Sequence, residues 1–159
     1  MEQILKIGNK EIRTIFNEGA NCWQAKTFID NVEIDLEIDL SQHSNKDVDW
    51  SHFRDFYTFL NKENRLTDLI KDSNSLAKEL GKAFFRDSIE NVADYNMEFS
   101  NSIFYNGKTD GTFTQNGFSY SLIYNYWVKR QDGIHGDEYG LYFIEIENHF
   151  IVGAKRRQC

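Results

Sequence analysis

From Val32 to Leu40 the chain alternates without exception: Val32, Ile34, Leu36, Ile38 and Leu40 are aliphatic, and Glu33, Asp35, Glu37 and Asp39 between them are acidic. Successive side chains of a strand point to opposite faces, so this period of two predicts a β-strand with one buried aliphatic face and one carboxylate face in water. Shorter strand patterns precede it at Ile4 to Ile7, Glu11 to Phe16 and Cys22 to Ile29, and Asp30-Asn31 has the composition of a tight turn between the last two strands. At Asp49 the period lengthens. Phe53, Phe56, Tyr57 and Leu60 recur at i, i+3, i+4 and i+7, an aromatic stripe along one helix, with Asp49 placed to cap its first turn. Leu66, Leu69, Ile70, Ala77, Leu80 and Phe84 continue the helical spacing to about residue 86, with Ser73-Asn74-Ser75 and Gly81 as the points where a second helix would break.

After about residue 95 the strand pattern returns, punctuated by Asn106-Gly107, Asp110-Gly111, Asn116-Gly117 and Asp132-Gly133, dipeptides that tolerate the positive φ of hairpin turns. Phe118, Tyr120, Leu122, Tyr124, Tyr126 and Val128 mark one face of a long strand, and Tyr139 to Ile146 and Phe150 to Ala154 supply two more. Strands, two central helices and a C-terminal β-meander predict an α+β fold: an antiparallel sheet with the helices packed on one face. No proline occurs, and no Gly/Ser-rich stretch interrupts the chain, so residues 1–159 are expected to form one domain.

Charge changes this picture in one respect. The net charge of −7 is unevenly spread, with 19 acidic and 12 basic side chains in residues 1–100 and six of each in residues 101–159. The whole surplus lies in the first part, where the acid row stands. Such a balance argues against a nucleic-acid partner, which selects clustered Lys and Arg. Met1-Glu2-Gln3-Ile4-Leu5-Lys6 has no signal-peptide character, and no apolar run approaches the length of a membrane span. With Cys22 and Cys159 as its only cysteines, the chain is expected to be cytoplasmic, without a disulfide framework.

Two groups of residues carry candidate chemistry. The first is the acid row itself, Glu33, Asp35, Glu37 and Asp39, where like charges on one face repel unless a cationic neighbour or partner relieves them. It reads either as a solvated sheet face or as a surface for a basic protein partner. The second is Asp132-Gly133-Ile134-His135-Gly136-Asp137-Glu138, in which Asp132, His135, Asp137 and Glu138 share one glycine-flexed segment. A solvated hairpin loop and a site for a divalent cation or small ligand both fit that composition. Gly107-Lys108-Thr109 fails as a phosphate loop because Ser102 stands where the earlier glycine is required. Tyr120, Tyr124, Tyr126, Trp127, Tyr139 and Tyr142 read as core packing rather than a base-stacking platform, since few cations lie near them. No catalytic residue, resident metal or cofactor is expected.

In size, acidity and α+β organisation, with an acid row and turn-rich C-terminal strands, the chain resembles the small acidic immunity proteins that bacteria pair with toxins. The resemblance is one of character and transfers no functional residue. It implies a cytosolic, non-enzymatic protein that binds a basic toxin domain and blocks it. The alternatives are a small enzyme or metal-binding domain using the 132–138 segment, and a self-associating module that pairs through an exposed edge strand.

Overall fold

In a computed structural model, which describes residues 1–39, 48–85, 95–109, 117–136 and 140–158, the alternating segments become strands and the two helical periods become helices. Four strands open the chain: β1 (Glu2–Ile7), β2 (Lys10–Asn17), β3 (Cys22–Ile29) and β4 (Val32–Asp39). Helices α1 (Trp50–Leu60) and α2 (Arg65–Phe85) follow, and then β5 (Tyr95–Thr109), β6 (Gly117–Arg130), β7 (Gly133–Gly136), β8 (Gly140–Glu147) and β9 (Phe150–Gln158). All nine strands join one sheet in the order β1-β2-β3-β4-β5-β6-β8-β9, with β7 pairing only the far end of β6.

The α+β class holds, but the sheet is mixed. β4 and β5 run parallel, Leu36 opposite Ile103 and Ile38 opposite Tyr105, whereas every other pairing is antiparallel. Alternation reports that a segment is extended and half buried, and it is blind to the direction of the neighbour.

The turns follow their residues. Asp30 and Asn31 both take positive φ, the type I′ geometry that matches the twist of a two-residue hairpin, and Ile29 pairs Val32 across it. Asn106-Gly107, expected as a turn, lies instead inside β5, where Gly107 (φ +98°) absorbs a register irregularity against β6. The β6–β7 turn is Gln131-Asp132, with Gly133 (φ +138°) opening β7 opposite Arg130, while Asp110-Gly111 and Asn116 lie outside the described residues. α2 passes through Ser73 to Ser75 and Gly81 without a break. Ser73 Oγ donates to the Leu69 carbonyl (2.6 Å) and meets the Tyr124 hydroxyl (2.6 Å), so a residue that weakens a lone helix ties this one to the sheet.

Both helices cover the same face. Phe53, Phe56, Tyr57 and Leu60 of α1 are fully buried, and the Phe56 ring lies 4.5 Å from Tyr105 and 5.0 Å from Tyr120. Leu66, Leu69 and Ala77 of α2 are buried beside Tyr124. Burial of four aromatic hydroxyls is offset by acceptors: Tyr57 donates to the Phe28 carbonyl (2.7 Å), Tyr120 to the Asn148 carbonyl (2.5 Å) and Tyr124 to the Ile70 carbonyl (3.0 Å), and Tyr105 pairs with His52. Desolvation raises the pKa of Tyr105, Tyr120 and Tyr124, which keeps these phenols neutral.

Two aspartates fix the helices to the strands. Asp49 caps α1, accepting from the His52 N–H (3.0 Å), and pairs with Lys108 of β5 (2.9 Å). Asp30, on the β3–β4 turn, caps the start of α2 from a distance, accepting from the N–H groups of Asn64 (3.0 Å) and Thr67 (3.1 Å) and from the Thr67 hydroxyl (2.9 Å). Its own N–H donates to Asn61 (3.1 Å). In Asp49 the Lys108 hydrogen bond, reinforced by the His52 N–H, lowers the carboxyl pKa; in Asp30 desolvation is the largest single influence, but the Thr67 and Asn64 bonds together outweigh it and lower the pKa.

Removing the Asp30 cap orphans donors at a helix start, so Asp30→Ala is predicted to cost about 1–2 kcal/mol by urea denaturation. Unchanged stability would show that water replaces the cap. Both folded carboxyls bind protons less readily than their unfolded forms, so their stabilisation is complete above the ordinary value of 3.8 and fades as pH falls through the lower folded values. The Asp30→Asn, Asp49→Asn double variant is therefore expected to lose melting temperature less steeply below that pH than the parent. Equal slopes would place the acid sensitivity elsewhere.

Candidate functional site

With α1 and α2 on one face, the opposite face of the sheet has neither described helix upon it. The acid row lies there, because Ile34, Leu36 and Ile38 point to the helices and are buried. Glu33 and Asp35 are exposed and Glu37 is half-buried; Asp39 ends the strand, and its side chain lies outside the described residues.

The hairpin register decides which neighbours the row meets. Lys26 stands opposite Asp35 and forms an ion pair (3.2 Å), Gln24 stands opposite Glu37 and donates to it at 3.4 Å, and Phe28 stands opposite Glu33. The row is thus partly answered from within the sheet. Across β2 and β1, Arg13 holds Glu2 through two contacts of 2.6 and 2.8 Å, and Lys6 pairs with Glu11 (3.4 Å). These exposed pairs contribute little stability, but they set where charge is left over. Among the described residues no cation lies within ion-pair distance of Glu33 or Glu37.

On the far side of the parallel seam the face turns apolar. Phe104 and Phe143 meet edge to face with centroids 6.1 Å apart, Ile123 is buried with them, and the Arg157 guanidinium lies 4.9 Å from the Phe143 centroid and 5.7 Å from that of Phe104. At the edge, Lys155 pairs with Glu145. A trough of two lobes crosses this surface. One, of about 640 Å³, is lined by Arg13, Ile15, Gln24, Lys26, Asp35 and Glu37; the other, of about 480 Å³, by Glu37, Ser100, Ser102, Phe104, Phe143 and Arg157. Glu37 and Ser102 line both.

The second sequence candidate has a plainer geometry. Asp132 and His135 are joined by a 2.8 Å hydrogen bond across the β6–β7 hairpin, where both are exposed. The segment expected as a loop is strand β7 from Gly133 to Gly136, and Asp137 and Glu138 lie outside the described residues. No group of three or more His, Cys, Asp or Glu side chains placed to hold a metal occurs among the described residues. Nor is any described helix long and apolar enough to cross a membrane. Tyr120, Tyr124, Tyr126 and Tyr142 are core residues, as their phase on the strands implied.

Residues the sequence did not single out complete the surface: Lys26, Gln24, Ser102, Phe104, Phe143 and Arg157. Lys26 and Gln24 were within reach, since counting back from the two-residue turn at Asp30-Asn31 places them opposite Asp35 and Glu37. Phe104 and Phe143 carried no comparable local signal. No protein-family model, curated protein or solved structure matches the chain.

The two halves of the face are predicted to respond differently to substitution. Phe143→Ala, which removes a buried ring, should cost about 3 kcal/mol, whereas Lys26→Met should stay within about 0.5 kcal/mol. Guanidinium unfolding of both variants checks this, and a large loss from Lys26→Met would make the ion pair structural.

Proposed function

We propose that this chain is a non-enzymatic binding protein that docks a basic protein partner on the sheet face that bears neither described helix, as a toxin-neutralising immunity protein would. The observation that carries this reading is the composition of that face: Glu33 and Glu37, carboxylates with no described cation in ion-pair range, among exposed apolar side chains. Ile4, Ile15 and Phe28, at 52, 53 and 56% exposure, stand on the three strands beside the row. Apolar anchors surrounded by charge are how protein interfaces combine affinity with register. An acidic surface also steers a basic partner during encounter, and the net charge of −7 extends that attraction beyond the contact itself.

The mixed charge of the face bears on specificity. Arg13, Lys26 and Lys155 lie in the same sheet surface as the carboxylates, so a uniformly cationic surface would meet repulsion at those points. The favoured partner presents positive charge over β4 and apolar or acidic groups over β2 and β3.

The test is a pull-down against the products of neighbouring genes at low and moderate salt, followed by affinity measurement on any single basic protein retained. Neutralising the pair, Glu33→Gln with Glu37→Gln, should weaken that complex at least about tenfold and flatten its salt dependence. If affinity and salt dependence are both untouched by the double variant, the acidic face is a solvated surface and the proposal falls.

A further inference from the structure

Within the trough, the lobe shared by Glu37 and the Phe104–Phe143 pair has a chemistry more specific than negative charge. Apart from Asn125 and Arg157, its polar lining offers acceptors. Glu37 is a half-buried carboxylate whose only hydrogen bond among the described residues is the long one from Gln24. Ser100 Oγ donates its proton to the Ile123 carbonyl (2.8 Å), and Ser102 Oγ directs its own to the Ser100 carbonyl (3.5 Å), so both hydroxyls offer an incoming group lone pairs. Its opposite wall is aromatic, and Arg157 shows that these rings take a planar cation, lying within 5.7 Å of both centroids. In the neighbouring lobe the cations are already committed, Arg13 to Glu2 and Lys26 to Asp35, which leaves Glu37 as the lining carboxylate without an ion pair among the described residues.

We infer that this lobe holds the guanidinium of an arginine presented by the basic partner, seated between the Glu37 carboxylate and the Phe104 ring; the inference rests on the docking face proposed above. A guanidinium is donor-only, planar and weakly hydrated, so it matches an acceptor wall and an aromatic wall together, whereas an ammonium has no flat face to stack. Arg157 is the chain's own competitor for the site. Its charge raises the threshold for a second cation and so discriminates against partners that bring charge without the stacking geometry.

The experiment is an NMR titration of the full ¹⁵N-labelled chain with Nα-acetyl-L-arginine amide and, separately, with its neutral isostere Nα-acetyl-L-citrulline amide. The arginine probe is expected to shift the amides of Glu37, Ser102, Phe104 and Asn125 saturably, with Kd on the order of millimolar. The citrulline probe should bind at least about tenfold more weakly. Glu37→Gln should abolish the difference, Glu33→Gln should leave it intact, and Arg157→Gln should tighten the arginine probe. Equal response to the two probes, or equal effects of Glu37→Gln and Glu33→Gln, overturns the arginine site. If partner binding still weakens with salt and with the double neutralisation, the docking face survives that failure; if neither matters, the docking face itself is wrong.

Discussion

The parallel pairing of β4 with β5 is the constraint on which the rest of the molecule depends. Antiparallel neighbours can be joined by two residues, but parallel neighbours require the chain to travel back along the whole strand before it can re-enter the sheet. α1 and α2 lie in that connection, and they land on one face, where Phe53, Phe56 and Leu69 are buried against Leu36, Ile103 and Tyr105. One connection thereby covers one face and leaves the other without a described helix. It also sets Glu37 directly beside Phe104, so a carboxylate from the N-terminal hairpins and a ring from the C-terminal meander meet at the floor of one trough.

The two faces use aromatic residues in different ways. On the helix side the tyrosines serve as core, and each of Tyr57, Tyr105, Tyr120 and Tyr124 finds a partner for its hydroxyl on a turn, a helix or a histidine. A buried phenol without an acceptor is costly, so these bonds orient the helices as well as satisfy the rings. On the open side the guanidinium of Arg157 lies over Phe104 and Phe143. That side remains a surface, with polar pairs crossing between strands and apolar side chains between them.

The edges of the sheet bear on how such a surface stays available. β9 carries an irregularity opposite Glu145 and Ile146 and bears Lys155, Arg156 and Arg157, while β1 has only six residues and bears Glu2 and Lys6. Bulges, short edge strands and charged side chains each oppose the addition of another strand. Both edges thus oppose growth of the sheet by another strand.

Much of this was legible in the residues themselves. The period of two fixed the buried phase of β4 and β6, the i, i+3, i+4, i+7 stripe fixed α1 and its Asp49 cap, and Asp30-Asn31 fixed the hairpin and with it the Lys26–Asp35 pair, because each depends on neighbours close in the chain. Asn106-Gly107 misled for a related reason: a dipeptide that permits positive φ serves a bulge inside a strand as well as a turn between strands. The parallel seam, the face without a described helix and the meeting of Glu37 with Phe104 and Arg157 had no local signature. They are set by which strands share an edge after two intervening helices, and that choice is made by burial of the whole core rather than by any segment's own pattern.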